Sequence, residues 1–254
     1  MNDLLKLIRH RQSSRVPFDL SKRVKKRDLE TILEAARWAP TAHNMQNFEI
    51  LVIDHQKTIQ KISKIESPIS LTFVKENYQQ LSFSVDELRK QKTGILGSMF
   101  PPSWRKADPK MEDLIQGEHH HALESHNQLL STPVLLLVLY DPQRRAPASE
   151  GDFLGIMSLG CMLENMWLMA AALGIGFHVV SSLSGEKIEA EIKQMLGVPE
   201  RLRIAISFRI GYPSGNLKYL RVRRDLNDYT SYNQYHKAKR GIKQGLNSTQ
   251  RAAI

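Results

Sequence analysis

Residues 153–180, FLGIMSLGCMLENMWLMAAALGIGFHVV, contain the longest helical segment that the chain predicts. Positions 153–173 place apolar residues on almost every side of a helix, and Gly174 can end that helix as a C-cap. A helix that is apolar all round has to be buried all round, either in the core or against a second subunit. Because GFHVV then predicts a strand, the stretch indicates a long buried helix that leads directly into a sheet.

Further apolar patterns predict the rest of the sheet and its helices. The run VLLLVLY, residues 134–140, is typical of a central strand that is covered on both faces. FEILVID at 48–54 and RLRIAISFRI at 201–210 predict two more strands. Helical spacing is found in KKRDLETILEAAR, KTIQKISKI and GEKIEAEIKQML, at 25–37, 57–65 and 185–196. We therefore expect an α+β fold in which helices sandwich a central sheet.

Residues 54–130 lack a steady period after their first helix. We interpret them as a peripheral insertion with one helix near 111–130. The stretch FPPSW at 100–104 puts aromatic side chains in a proline-rich loop, where they would otherwise be exposed. We hypothesise that 66–130 form a lid over a functional site, with a plain surface decoration as the alternative.

Most of the excess positive charge lies at the two ends of the chain. The formal net charge is +10, and Lys and Arg outnumber Asp and Glu by nine to four in 1–30 and by nine to two in 218–254. Two basic ends leave open a nucleic-acid or anionic-surface binder. Because only 7% of the residues are aromatic and no nucleic-acid motif is recognised, we expect no nucleic-acid partner. We also expect one domain over 1–254, with a candidate disordered tail at 240–254.

The residues present exclude several common sites. The single cysteine, Cys161, excludes a disulfide framework and a multi-cysteine zinc site, and its apolar surroundings predict a core position. Adjacent side chains on a helix point about 100° apart, so residues 119–121, three histidines, cannot converge on one ion and no metal is expected. The N-terminal residues lack signal-peptide features and Glu164 interrupts the apolar helix, which predicts a cytoplasmic protein without a membrane partner.

Two groups of polar residues stand next to otherwise apolar elements. Arg11, Ser13 and Arg15 alternate in a predicted loop, and two guanidinium groups with a hydroxyl suit the oxygens of a phosphate monoester. Asn44 and Gln46 offer paired amide donors and acceptors, which suit the polar edge of a heterocycle. Further arginines lie in the C-terminal stretch. Taken alone, each group is also what a solvated surface or a turn would contain.

In their order along the chain, these residues resemble the nitroreductase family of FMN-dependent oxidoreductases. The family signature Arg-x-Ser-x-Arg is RQSSR at 11–15, and the loop Ala-Pro-Ser/Thr-x-x-Asn-x-Gln is APTAHNMQ at 39–46. The later similarities are AALGIG at 171–176, LGVP at 196–199, IGYP at 210–213 and RVRRDLNDY at 221–229. The chain departs from the family at Gln12, where Arg or His is common, and at Asn47, where Pro is common.

The resemblance implies a fold, an assembly and a binding site. The fold would be a three-layer α+β sandwich with a mostly antiparallel sheet. The assembly would be a homodimer that exchanges terminal extensions and binds FMN at its interface, so that the all-apolar helix lies against its dimer mate. The phosphate and ribityl chain of FMN would be held by Arg11, Gln12, Ser13 and Arg15.

The remaining implied FMN contacts come from three other places in the chain. Arg221 and Arg223 would close on the phosphate. Asn44 and Gln46, from the other subunit, would meet the ring or the ribityl hydroxyls. Backbone N–H groups would face the reactive edge of the ring from the loop formed by Val180, Ser181 and Ser182.

The implied chemistry belongs to the cofactor. FMN would accept hydride at N5 from NADH or NADPH and pass it to a nitroaromatic, quinone or related small acceptor in the same pocket, which implies ping-pong kinetics. Donors and cations near N1 would stabilise the reduced form, and no side chain needs to act as acid or base. A diverged member that acts by dehalogenation or flavin destruction is a further alternative.

Overall fold

The computed structural model of the chain describes residues 2–65, 76, 78–97, 128–147, 149, 151–215 and 220–235. The chain divides into two compact units, one of 1–68 with 118–218 and the other of 69–117 with 219–254. The candidate tail at 240–254, the histidines at 119–121 and the aromatic loop at 100–104 lie outside the described residues. The single domain over 1–254 stays a prediction.

Six α-helices and six β-strands lie completely within the described residues. In chain order they are α1 (Asp3–His10), α2 (Lys26–Arg37), β1 (Glu49–Ile53), α3 (Gln56–Ser63), β2 (Ser82–Phe83), α4 (Val85–Gln91), β3 (Ile95–Leu96), β4 (Val134–Tyr140), α5 (Phe153–Ala172), β5 (Gly176–Val180), α6 (Glu186–Leu196) and β6 (Arg203–Gly211). The strands and helices predicted within the first unit are therefore confirmed. Most of the helix predicted near 111–130 lies outside the described residues.

In the described part of the first unit, four strands form an antiparallel sheet with the order β1, β4, β6, β5. Strand β4 lies inside the sheet and is buried along all but its last residue, as its continuous apolar run predicts. Strand β5 forms one edge, and it pairs with β6 so that His178 lies opposite Arg209.

Helices cover both faces of this sheet. Leu135 and Leu137 of β4 contribute to a core that also contains residues of α3 and α6. Leu136 and Val138, which point to the opposite face, contribute to a second core with residues of α2 and α5. The expected α+β fold with three layers is therefore confirmed for the first unit.

Helix α5 is buried along one stripe only. The buried stripe consists of Ser158, Met162, Met166 and Ala170. On the outer side, Phe153, Ile156 and Met157 are 64%, 52% and 52% exposed, and Cys161 is exposed as well. The predicted core position of Cys161 is therefore wrong, because Cys161 lies off the stripe that faces the sheet.

Within the described residues, α5 is the one helix long and apolar enough to span a membrane, a test that core helices of soluble proteins also pass.

The second unit contains the short parallel pair β2 and β3 and the helix α4. Helix α4 begins with a capping box formed by Ser84 and Glu87. Lys92, just after α4, forms an ion pair with Asp225. Residues 78–97 make up the main described part of the predicted lid, and its function as a lid stays a prediction.

Two glycines lie opposite each other where β5 and β6 meet the N-terminal segment. Gly176 pairs with Gly211, and Phe18 lies against both. A Cβ atom on Gly211 would lie 2.8 Å from Phe18 Cγ and 2.8 Å from Pro133 Cδ, which is shorter than real Cβ contacts. The absence of a side chain at Gly211 therefore lets the N-terminal segment reach the sheet.

We expect Gly211→Ala to lower the free energy of unfolding by about 1–3 kcal/mol, because the added methyl group overpacks this contact. Urea unfolding of the two proteins measures the loss. Gly215→Ala is the control, since its Cβ would meet Val16 Cγ1 at 3.7 Å, an ordinary contact. Equal stability of the two variants would contradict the close approach at Gly211.

Candidate functional site

The segment that follows α1 runs along the outer edge of β5. The Ser14 N–H donates to the carbonyl oxygen of Phe177 at 2.9 Å, and the Phe177 N–H donates to Ser14 Oγ at 3.3 Å. Ser14 is consequently only 2% exposed. From α5, Trp167 Nε1 donates to the carbonyl oxygen of Gln12 at 3.2 Å. The main chain at Gln12 and Ser14 is therefore bound by α5 and β5 of the same unit.

The side chain of Arg209 holds the same segment from the sheet. Arg209 is 0% exposed, and its guanidinium lies 4.6 Å from the ring centroid of Phe18. Its hydrogen bonds reach the carbonyl oxygens of Ser14, Val16 and Gln128, Ser131 Oγ and His178 Nδ1. A buried guanidinium is tolerated only when its N–H groups have acceptors, and here the N-terminal segment provides two of them.

His178 is kept neutral by this arrangement. Its Nδ1 accepts a hydrogen bond from Arg209 Nε at 3.0 Å, so the ring proton belongs on Nε2. Burial, followed by the positive charges of Arg209 and Arg15, lowers the pKa of His178 to about 3. The imidazole is therefore a neutral acceptor for Arg209 near pH 7.

A cleft of about 150 Å³ opens beside the N-terminal segment. Its walls include Arg11, Gln12 and Ser14 on one side and Gly174, Ile175 and Gly176 on the other. The Arg11 side chain is 22% exposed. Its guanidinium carbon lies 4.5 Å from the ring centroid of Trp167, and its Nε lies 3.3 Å from Glu164 Oε1. Two residues of α5 therefore hold a cation at the edge of the cleft.

The donors of the segment 11–15, of which Arg11 lines the cleft, fit a phosphate group. Arg11 and Arg15 flank Ser13, which is half-buried, while Ser14 between them turns inward. Arg15 is exposed, and its effect on the pKa of His178 places its charge within electrostatic reach of β5. Two guanidinium groups and a hydroxyl can satisfy the oxygens of a phosphate monoester.

Asn44 and Gln46 lie on an exposed loop between α2 and β1. Gln46 Nε2 donates to Asn44 Oδ1 at 3.0 Å, which leaves the Asn44 amide nitrogen and the Gln46 amide oxygen to face outward as a donor and an acceptor. Such a pair can bind the polar edge of a heterocycle on another molecule.

Val180, Ser181 and Ser182 lie at the other end of β5 from the cleft. Ser207 Oγ donates to the carbonyl oxygen of Val180, and Ser181 begins a short 3₁₀ turn, Ser181–Ser184. Because a strand rises about 3.4 Å per residue, Gly176 and Ser181 are about 17 Å apart along the chain. A ligand that contacts both ends of β5 must therefore be elongated.

Arg221 and Arg223 are exposed residues of the second unit. Arg223 Nη1 donates to the carbonyl oxygen of Val222 at 2.7 Å. Their proposed closing on a phosphate stays a prediction.

The family model described as Nitroreductase family matches residues 8–212. The chain belongs to the nitroreductase family. The match includes the segment 11–15 and the loop 39–46, so the resemblance read from those motifs is confirmed.

Solved structures of nitroreductase-family proteins share the fold. A nitroreductase with bound FMN from Bacteroides fragilis is 20% identical, with a TM-score of 0.54 over 88% of this chain and 96% of that one. A nitroreductase family protein from Clostridium difficile is 19% identical, with a TM-score of 0.58 over 92% and 100%. A candidate NADH oxidase from Clostridium acetobutylicum is 19% identical, with a TM-score of 0.57 over 90% and 99%. No curated protein is significantly similar in sequence.

Several residues that build this candidate site were not found from the sequence. Ser14 binds the segment to β5, Trp167 and Glu164 contact Gln12 and Arg11, and Arg209 binds the Ser14 carbonyl oxygen. The one available signal was Arg209 itself, because a charged side chain inside the apolar strand RIAISFRIG needs buried partners.

We expect the nitroreductase fold to lose stability in acid through His178. A histidine whose pKa is lowered to about 3 on folding binds fewer protons in the folded protein than in the unfolded chain. Above about pH 6.5 the free energy of unfolding is therefore not reduced by this group, and it falls progressively as the pH drops from 6.5 towards 3. Between pH 7 and pH 5 this histidine should cost about 2 kcal/mol of the free energy of unfolding.

Urea unfolding at the two pH values measures this loss. His178→Asn keeps an acceptor for Arg209 without the titrating ring, and it should reduce the acid loss by that amount. His55→Asn, at an exposed position, is the matched control and should leave the loss unchanged. An acid loss in His178→Asn equal to that of the wild type would contradict the assignment.

Proposed function

We propose that the chain is an FMN-dependent oxidoreductase that transfers hydride from NADH or NADPH to a nitroaromatic, quinone or related small acceptor. Family membership supports an oxidoreductase, and the Bacteroides fragilis relative with bound FMN supports the cofactor. The NADH donor is suggested by the description of the Clostridium acetobutylicum relative. A cytoplasmic location is part of the same proposal.

The observation that carries the proposal is that the residues of the segment 11–15 differ in their contacts. Ser14 and the neighbouring carbonyl groups are bound by the protein, whereas the Arg11 side chain lines the cleft and Arg15 is exposed. A solvated basic arm would not need a backbone fixed by buried partners. A site for a charged ligand does need this, because preorganised donors bind without an ordering cost.

When bound, FMN supplies reversible hydride acceptance and donation. This chain's residues would do the binding and the orientation. Arg11, Ser13 and Arg15 would hold the phosphate at the start of β5, and Gln12 would line the ribityl chain. The N–H groups at 180–182 would face the ring, where fixed donors stabilise negative charge that develops on reduction.

The size of the cleft supports a second subunit as part of the site. Whole small-molecule pockets typically measure about 300–1,000 Å³, and the cleft of about 150 Å³ in the first unit holds only part of such a ligand. Asn44 and Gln46 face outward from their own unit. We propose that they reach the FMN of the partner in a homodimer with exchanged terminal extensions.

The outer face of α5 is the proposed dimer surface. Phe153, Ile156 and Met157 on α5 are exposed, and so are Leu4 and Ile8 on α1. Homodimer interfaces are more apolar than the remaining surface, because each buried large apolar side chain contributes about 1.5–3 kcal/mol.

The visible spectrum of the purified protein tests the proposed cofactor. We expect flavin absorption bands, either as isolated or after addition of FMN, and their bleaching by NADH or NADPH without an acceptor. Arg11→Ala and Arg15→Ala should each raise the FMN dissociation constant about 10- to 100-fold, because each removes a charge-assisted hydrogen bond.

Arg9→Ala is the matched control for these variants. Arg9 lies on α1, before the segment, and its removal should change FMN affinity by less than about threefold. Colourless wild-type protein that takes up no added FMN would overturn the proposal. Binding of nucleic acid that falls steeply with salt would instead favour the binder class.

We expect Ile156→Asp to separate the dimer and to weaken FMN binding together with it, because a carboxylate would be buried in an apolar interface. Sedimentation velocity and FMN titration measure the two effects. Met195→Asp is the control, since Met195 is an exposed residue of α6, which covers the other face of the sheet. A wild-type protein that is a monomer and still binds FMN would contradict the dimer. A wild-type protein that stays in solution only with detergent would contradict it as well.

A further inference from the structure

The loop that carries Asn44 and Gln46 has an unusual backbone. His43, Asn44 and Gln46 adopt φ angles of 51°, 53° and 46°. This left-handed region costs a residue with a side chain about 1–2 kcal/mol, although Asn and His tolerate it better than most. Three such residues within four positions need external contacts to persist.

One end of the loop is held by α5. Ser158 Oγ accepts a hydrogen bond from the Ala42 N–H at 2.9 Å and donates to the Leu154 carbonyl oxygen at 2.7 Å. Inside the loop, the Gln46 N–H donates to Thr41 Oγ1 at 3.1 Å. These bonds fix the entry to the loop but not its exit into β1.

The other end is held by the side chain of Asn47. Its Nδ2 donates to the carbonyl oxygens of Asp141 and Arg144 at 3.0 and 2.9 Å, and its Oδ1 accepts from the Asp141 N–H at 3.4 Å. Both ends of one amide are therefore used, and they connect Asn47 to residues more than 90 positions away. The hydrogen bonds fix the residue immediately after the left-handed Gln46.

The loop that receives Asn47 is itself fixed. Asp141 Oδ1 accepts from the Gln143 N–H at 3.0 Å, and its Oδ2 lies 3.2 Å from Arg201 Nη1. The Arg144 N–H donates to the Asp141 carbonyl oxygen at 3.1 Å. Asn47 is thus anchored to a closed turn at the end of the central strand β4, which makes it a rigid support.

We propose that Asn47 is a positioning residue for flavin binding, which holds Asn44 and Gln46 in their outward, left-handed arrangement by bonding the turn at 141–144. The proposal rests on the proposed function, because it assigns Asn44 and Gln46 to FMN. Asn47 touches no ligand itself. In this chain it does through side-chain hydrogen bonds what a rigid residue at position 47 would do through its backbone.

Two substitutions of Asn47 test the proposal in the full-length protein. Asn47→Ala should raise the FMN dissociation constant about tenfold, the equivalent of one or two lost hydrogen bonds. Asn47→Asp has the same shape, but an oxygen would face the two carbonyl groups, so it should bind FMN at least as weakly at pH 7. If Asn47→Asp bound FMN as the wild type does, the hydrogen bonds would be irrelevant and the proposal would be overturned.

Gln56→Ala is the matched control. Gln56 is also half-buried, and its amide nitrogen also donates to two carbonyl oxygens, those of Thr132 at 2.9 Å and Pro133 at 3.4 Å. It should lose comparable stability but change FMN affinity by less than about threefold. Equal weakening of FMN binding in Gln56→Ala and Asn47→Ala would indicate a general structural effect and overturn the proposal.

A mutant cycle tests whether Asn47 affects FMN affinity through Asn44 and Gln46. In a background of Asn44→Ala with Gln46→Ala, Asn47→Ala should change FMN affinity by less than about twofold, because the residues through which it acts are gone. A tenfold effect that persists in this background would overturn the proposal.

Hydrogen exchange without FMN separates this proposal from the proposed function. Asn47→Ala should accelerate exchange of the amides at 44–48 about tenfold, whereas Gln56→Ala should not. Unchanged exchange in Asn47→Ala would show that Asn47 does not hold the loop. A wild type that takes up no FMN, with accelerated exchange in Asn47→Ala, would overturn the FMN assignment and leave Asn47 as the support of the loop alone.

Discussion

The buried guanidinium of Arg209 is the interaction on which the candidate site depends. Removing a charge from water costs several kcal/mol, and only a full set of acceptors offsets that cost. Arg209 finds its acceptors on three separate segments: the N-terminal segment at Ser14 and Val16, the residues before β4, and β5 at His178. Because these acceptors are mostly backbone carbonyl groups, one side chain on β6 determines where two stretches of main chain lie.

This constraint explains the alternation that makes 11–15 a candidate phosphate site. Trp167 and Arg209 bind the carbonyl groups of Gln12 and Ser14, and the Ser14 side chain is buried against β5. Side chains that point in the opposite direction to Ser14 therefore cannot be buried against β5 as well. Arg11 and Arg15 occupy those positions. Arg11 is further oriented by Glu164 and Trp167 of α5, so its cation is held at the cleft rather than free in solvent.

The sequence patterns predicted the layers of the first unit but not the contacts that hold the site. Apolar runs and helical spacing are patterns of residues that are near one another in the sequence, and they predicted β4 and α5. Ser14 bonds Phe177, which lies 163 positions away, and no local pattern records such a partner. Cys161 was misplaced for a related reason, because a helix that is apolar on all sides does not reveal which stripe faces the sheet. The alternation of Arg11, Ser13 and Arg15 was visible in the sequence, whereas the partners of Arg209 required the fold.

The two ends of the proposed flavin site are stabilised by different means, and the difference follows from what each end has to do. At the phosphate end a buried cation, neutral His178 and main-chain carbonyl groups fix a segment that carries Arg11 at the cleft and Arg15 on the surface. At the loop of Asn44 and Gln46 the outward groups are neutral amides in a left-handed backbone, and neutral hydrogen bonds from Ser158 and Asn47 hold it. A charged anchor there would compete with amides for a polar ring edge, whereas an amide that bonds only main-chain groups adds no net charge near them.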